Sequence, residues 1–266
     1  MFVHNINPVL LEIGVFQIRY YSLAYILGFL FAYFFLRYKA RKGLIKGFTE
    51  DRLDAFMIYL IIGVIAGARI FTFIFYYPDV LLSNPLEVFM VWQGGMSFHG
   101  GLIGAIIAVY FFSRKYKMKF YFLADLLALP ALFFLALGRI ANFINGELWG
   151  TVTNLPWGVK FPHSAPHGTP IEDIPARHPY QLYAAAKDFF LVLVLWLATK
   201  GKKLKEGLLF WWFVFLYNST RFLLDFVREE QRFLGISTGQ YLSLAFTIIS
   251  IYFLYKLYSS GKRKSI

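Results

Sequence analysis

The 266-residue chain contains no cysteine. Disulfides, thiolate metal sites and a cysteine nucleophile of its own are therefore excluded, and any thiol in its chemistry has to come from a substrate. Charge is scarce as well. Only 16% of residues are charged, 15 acidic against 27 basic, while 58% are apolar and 21% aromatic. That is too little polar surface for a soluble domain of this length, and the chain reads as a membrane protein. Its five histidines are scattered with no H-E-x-x-H or similar spacing, so neither a metal nor any other cofactor is expected. An internal repeat is also missing, which weakens a transporter of inverted halves. The first twenty residues lack a basic n-region and a small-residue cleavage site, and are expected to stay on the protein.

What is there in abundance is apolar sequence. A hydrocarbon core of about 30 Å needs roughly 20 mostly apolar residues as helix. Seven segments qualify: Tyr20 to Leu36, Ala55 to Phe75, Gly95 to Phe112, Phe120 to Leu137, Pro179 to Thr199, Gly207 to Phe226 and Tyr241 to Tyr258. Basic clusters follow the first, third, fifth and seventh: Arg37, Lys39, Arg41, Lys42 and Lys46; Arg114, Lys115, Lys117 and Lys119; Lys200, Lys202, Lys203 and Lys205; Lys256, Lys262, Arg263 and Lys264. Under the positive-inside bias this alternation puts the N-terminus outside and the C-terminus in the cytoplasm. Orientation and attraction to anionic lipid heads account for the net charge of +12, and no nucleic-acid partner is expected. Residues 142–178 hold five of the ten prolines, with Pro179 at their border, and read as a small irregular extracytoplasmic cap. The expected fold class is an all-α polytopic membrane protein of about seven transmembrane helices with that cap.

Polar residues beside these spans share one depth. Tyr21, Arg69, His99, Arg139, His178, Arg221, Asp225 and Arg228 all fall at outer span ends, and Asp125 alone is assigned to the inner side. Each has a plainer reading. Arg69 alone would serve as a snorkelling or helix-tethering arginine. Arg221, Asp225 and Arg228 stand at i, i+4 and i+7 of one helical face, where an Arg221–Asp225 ion pair suffices for two of them. Gly63, Gly67, Gly100 and Gly104 read as helix-packing glycines, and His4 and His163 as solvated. The plain readings do not predict the shared depth. Arginine forks match phosphate oxygens bidentately, and lipid head groups are the abundant phosphates there, so a lipid phosphate site at the outer leaflet is expected.

The stretch GRIANFINGELWG (Gly138 to Gly150) packs Arg139, Asn142, Asn145 and Glu147 behind an apolar run. It meets every fixed position of G-R-x-[GA]-N-F-x-N-x-E-x-x-G, the signature of the bacterial phosphatidylglycerol:prolipoprotein diacylglyceryl transferase family, which the chain resembles over essentially its whole length. GGMSFHGGLIG (Gly94 to Gly104), RHP followed by QLY (Arg177 to Tyr183) and YxxxRFxxDFxR (Tyr217 to Arg228) are similar to further family segments. The resemblance implies one integral membrane transferase domain over residues 1–266, in the bacterial inner membrane. Its substrates would be phosphatidylglycerol and the lipobox cysteine of a preprolipoprotein signal peptide, amid membrane lipids. The products would be a thioether and glycerol phosphate, the first step of lipoprotein maturation. It also implies roles for His99, Arg139, Asn142, Glu147, Gly150 and Arg221, with Tyr21 as a further member. Two departures stand out: Asp225 where many members carry Glu, and Tyr180 where Ser is common.

For such a transfer a thiol of pKa about 8.5 needs help at neutral pH, and an imidazole of pKa about 6.5 is a suitable base. His99 is the candidate; the competing view has it orient the head group while phosphate, or no base, takes the proton. Arg139 and Arg221 would hold the departing phosphate, with Asn142, Asn145 and Glu147 positioning the glycerol or the arginines. A phospholipid binding or transport protein without chemistry uses the same arginines but gives no reason for His99 or the Asn-Glu pair. An intramembrane serine protease built on Ser97 has only an inventory behind it.

Overall fold

The computed structural model describes residues 1–14, 16–45 and 47–262. Lys46, Arg263 and Lys264 of the basic clusters lie outside the described residues. The chain is mostly helical: α1 Tyr20–Arg41, α2 Glu50–Phe75, the short α3 Pro78–Ser83, α4 Phe98–Lys115, α5 Phe120–Ile144, α6 Tyr180–Thr199, α7 Leu208–Leu224 and α8 Thr238–Lys262. It forms two compact units, residues 1–30 with 127–266 and residues 31–126. Among the described residues, α1, α2, α5, α6 and α8 (to Ser259) are long and apolar enough to cross a membrane. The other two expected spans correspond to α4, which closes on Arg114 and Lys115, and to α7, only 17 residues long.

Helix α8 shows what surrounds the protein. Its first turns and middle bury Gln240, Ser243 and Ser250, while Leu242, Phe246, Ile249 and Tyr252 are exposed. In water this would be inside out; in lipid, apolar side chains face the solvent and polar ones need the protein for partners. Gln240 Nε2 donates to the Phe222 carbonyl at 3.0 Å, and Ser250 Oγ to that of Thr247 at 2.7 Å.

The second unit is built on contact between α2 and α4. Thr49 caps α2 by accepting from the Arg52 amide, and Ser97 caps α4 by accepting from that of Gly100. The expected start of this span at Gly95 moves to Phe98, because Gly94 and Gly95 hold φ of +85° and +69° and cannot continue a helix backwards. Gly63 and Gly67 face Gly100 and Gly104, and a Cβ on Gly63 would stand 2.6 Å from the Gly104 carbonyl oxygen. The two backbones touch, as the packing reading of these glycines requires.

In the first unit α7 packs along α8 and beside α6. Three short sheets decorate it. Strand β1 (Phe2–Val3) runs parallel to β4 (Val159–Lys160), which pairs antiparallel with β5 (Ala176–Arg177); β2 (Val9–Ile13) and β3 (Phe16–Arg19) form a hairpin, as do β6 (Arg232–Phe233) and β7 (Ile236–Ser237). Residues 145–179 otherwise run through two 3₁₀ turns and irregular loops, in keeping with their prolines.

Three sequence expectations are corrected. Helix α5 continues past Leu137 to Ile144, since Gly138 meets no crowding and the Asn145 amide still finds the Ala141 carbonyl at 2.9 Å. Helix α7 stops at Leu224 and a 3₁₀ turn takes Asp225–Val227, so Arg228 is extended and off the shared helical face. His4, expected to be solvated, is 5% exposed.

Replacing Gly104 by Val should lower the thermal unfolding midpoint in detergent, with overpacking on the order of 1–3 kcal/mol or more. Gly138→Ala, with nothing within 4 Å of the new methyl, should show no such loss. Equal melting of the two variants would remove the backbone-contact account of α2 and α4.

Candidate functional site

The polar residues of the first unit are held by the end of α5. Its carbonyls are closed by the Gly146 amide on Phe143 at 2.9 Å and the Glu147 amide on Asn142 at 3.1 Å, and Gly146 turns the chain with φ +64°. The turn brings the Glu147 carboxylate back over the helix. Glu147 Oε1 accepts from Asn142 Nδ2 at 2.8 Å and Asn145 Nδ2 at 3.2 Å, and the Glu147 carbonyl accepts from the buried Gln181 side chain at 2.5 Å. Asn142 lies three residues after Arg139, on the same side of α5. Tyr21, in the first turn of α1, interacts electrostatically with both Glu147 and Arg139, and hydrogen-bonds with Tyr25.

Behind the turn, His4 braces the helix end. Its Nε2 lies 2.6 Å from the Phe143 carbonyl oxygen, its ring packs on Phe143 and Phe161, and Gly146 sits against it.

Gly150 has a steric reason to be glycine. Its amide donates to the His178 carbonyl at 2.9 Å, it bridges to Arg228, and a Cβ would lie 2.6 Å from both His178 Cβ and the Val227 carbonyl oxygen. Two neighbouring segments are thus stitched to one: the His178 amide returns to the Thr151 carbonyl at 3.0 Å, and the Thr151 amide reaches Val227 at 2.9 Å. His178 itself packs on Tyr183, with Nδ1 3.3 Å from the phenol oxygen, which accepts from Trp157 Nε1.

Tyr180 is the hub. It is almost fully buried, its phenol donates to Asp225 Oδ1, and the guanidinium carbons of Arg139 and Arg228 lie 5.9 and 5.5 Å from its ring centroid. The other Asp225 oxygen accepts from Arg221 Nε at 3.3 Å. Arg228 pairs with Glu230 at 2.8 Å. Tyr180 and Asp225 are thus joined by one hydrogen bond, between the start of α6 and the end of α7.

The structure thus gathers Tyr21, Arg139, Asn142, Asn145, Glu147, Gly150, His178, Arg221, Asp225 and Arg228 within the first unit. Arg139 and Arg221 are near enough to repel, and both interact with Tyr180 and Tyr217. Among the described residues Arg139 has no carboxylate within ion-pair distance, and Arg221 uses only Nε on Asp225. Both keep their terminal N–H groups for another acceptor.

Arg69 and His99 belong to the second unit. Arg69 is buried and donates from each guanidinium nitrogen to a backbone carbonyl: Nε to Val88 at 2.9 Å, the terminal nitrogens to Gly94 and Glu87. It ties down the loop before α4, the tether reading, and Phe73 stacks beneath it. His99 is exposed in the first turn of α4, stacked beside Phe71, and lines a shallow surface hollow of about 400 Å³ with Ser97, Thr72 and Tyr76.

Sequence reasoning gave no site role to His4 or Tyr180, and passed over Gln181 and also Lys187 and Asp188, a charged pair inside the apolar run of α6. That last signal was visible, since ionisable residues within a span are rarely idle. With them, the polar residues no longer stop at the span ends.

Comparison with known proteins adds the chemistry. Residues 8–256 match the family model described as prolipoprotein diacylglyceryl transferase. Proteins named phosphatidylglycerol–prolipoprotein diacylglyceryl transferase are similar over most of their length. That of Geobacter sulfurreducens is 42% identical over 238 residues, 89% of this chain and 88% of its own. Those of Solidesulfovibrio magneticus and Vibrio cholerae are 41% and 40% identical over 263 residues, covering 96% and 97% of this chain and 96% and 93% of theirs. With a family model matching residues 8–256 and relatives 40–42% identical over most of both chains, the chain belongs to the prolipoprotein diacylglyceryl transferase family.

Proposed function

We propose that the polar cluster of the first unit binds the phosphoglycerol head of phosphatidylglycerol while the lipid's diacylglyceryl group passes to a prolipoprotein thiol. The chain is a diacylglyceryl transferase, and family membership disfavours lipid binding or transport without chemistry. The observation that carries the site assignment is the spare hydrogen-bonding capacity of Arg139 and Arg221. Two neighbouring guanidinium groups without enough acceptors need an anion, and a phosphodiester supplies oxygens in the matching fork geometry. Two buried amide oxygens, Asn145 Oδ1 and Gln181 Oε1, lack a donor among the described residues. Glycerol hydroxyl groups would provide donors for them.

In the transfer the thiol sulfur attacks the glyceryl carbon, and the C–S bond forms as the C–O bond to phosphate breaks. The electron pair of that bond leaves with glycerol phosphate, whose growing charge Arg139 and Arg221 hold more tightly than the ground-state diester. The thiol proton has to leave to a base or to the departing phosphate, and His99 is the base that its family motif proposes. Asn142, Asn145 and Glu147 hold one another and the head group, while Asp225, gripped by Tyr180, aims Arg221. His178 and Arg228 close the head-group end around Gly150. The setting is the bacterial inner membrane with seven spans, the N-terminus and the cap of residues 142–178 outside and the basic clusters in the cytoplasm.

Arg139→Lys should lose on the order of 10²-fold in turnover although the charge stays, because the fork is gone. Transfer of labelled diacylglyceryl from phosphatidylglycerol to a lipobox peptide measures this, and near-normal turnover would remove the bidentate role. His99→Gln should slow transfer at pH 7 and recover as the pH approaches the thiol pKa of about 8.5; a profile parallel to wild type would discard the base assignment. As the chain has no cysteine, single-cysteine variants report topology cleanly. A membrane-impermeant maleimide should label Thr169→Cys and spare Lys203→Cys in intact spheroplasts, and the opposite pattern would invert the orientation.

A further inference from the structure

His4 lies outside the residues 8–256 that match the family model, yet it is buried against the family signature. Its amide donates to the Lys160 carbonyl at 2.9 Å as β1 leaves β4, and its ring sits between Phe143 of α5 and Phe161, with centroids 5.4 and 5.3 Å away. Its Nε2 is 2.6 Å from the Phe143 carbonyl oxygen. A carbonyl only accepts, so Nε2 carries the proton and donates. The Gly146 amide donates to the same oxygen at 2.9 Å, closing the turn that leads into Glu147. That carbonyl therefore has a partner without His4. A phenylalanine would fill the space beside Phe143, Phe161 and Trp149 without burying ring nitrogens, so neither packing nor satisfaction of the carbonyl explains the imidazole.

We infer that His4 is a positioning residue for the lipid head group: its donor pins the Phe143 carbonyl, and with it the Gly146 turn that sets the Glu147 carboxylate on Asn142 and Asn145. This rests on the reading above that these side chains hold the phosphoglycerol head. The turn is fixed from two sides. Its carbonyl is shared between the Gly146 amide and His4, while the His4 ring stands 3.0 Å from where a Gly146 Cβ would lie. Glu147 returns to Asn142 twice, by its amide to the carbonyl at 3.1 Å and by Oε1 to Nδ2 at 2.8 Å. A shift of the turn thus moves the carboxylate and the amides it orients together. The last carbonyls of a helix are its least constrained, and a donor from a strand 139 positions away holds one of them still.

The test uses full-length enzyme in phosphatidylcholine nanodiscs, with KM for phosphatidylglycerol read by varying its mole fraction. His4→Gln and His4→Met both remove the ring, but only glutamine can donate; His4→Phe keeps a ring and cannot. His4→Met and His4→Phe should each raise that KM on the order of fivefold, with His4→Gln within about twofold of wild type. The KM for the lipobox peptide should stay unchanged, whereas a smaller folded fraction would lower kcat alone. On a Glu147→Gln background, His4→Met should add no more than about twofold, because both changes act on one turn. Where a variant is too slow for kinetics, half-saturation by fluorescent phosphatidylglycerol replaces KM. A wild-type KM in His4→Phe, a His4→Gln as weak as His4→Met, or full additivity with Glu147→Gln would overturn the inference. The head-group reading fails separately, if Glu147→Gln and Arg139→Lys both leave phosphatidylglycerol binding unchanged.

Discussion

The polar end of the first unit depends on the hydrogen bond between the Tyr180 phenol and Asp225. Asp225 ends α7 and Tyr180 begins α6, so one contact joins two helices where their polar residues meet. The carboxylate is shared, one oxygen for Tyr180 and the other for Arg221 Nε. That division leaves the outer nitrogens of Arg221 free, and the ring beneath Arg139 supports a second guanidinium without consuming its donors. A carboxylate that took both arginines bidentately would neutralise the site; one engaged by a tyrosine orients an arginine and leaves it available.

The rest of the first unit arranges backbone around that contact. Gly150 admits the chains of His178 and Val227 to distances no side chain would permit. The Gly146 turn folds Glu147 back on Asn142 and Asn145, with His4 braced behind it. Lipid offers no hydrogen bonds, so in a membrane-embedded site every donor has to find an acceptor inside the protein or on a substrate. Among the described residues the two arginines keep terminal donors unmatched, which is what the proposed binding of an anion requires.

Much of this was legible in the chain. Apolar runs and alternating basic clusters identify a membrane protein, because length and charge placement respond to a slab of hydrocarbon of known thickness. The GRIANFINGELWG stretch announces a site because so many polar groups rarely end a span for packing reasons. The glycine spacings of α2 and α4 were readable as close packing. Partners were not legible. Arg69 looked like a head-group ligand on composition, yet its donors are taken by three loop carbonyls. His4 looked incidental and is buried, since its neighbours Phe143 and Phe161 are far away in sequence.

The sequence by itself determined the class of protein, most of its helices and a set of candidate site residues, since these follow from local composition, periodicity and a contiguous motif. Only the tertiary structure decided which cations are spent and which are spare. That choice depends on hydrogen bonds between residues such as Tyr180 and Asp225, 45 positions apart. Chain spacing does not encode such a distance. The same holds for Lys187 and Asp188: the sequence displays two adjacent charges, and the fold buries Asp188 and sets the Lys187 ammonium over the Tyr217 ring.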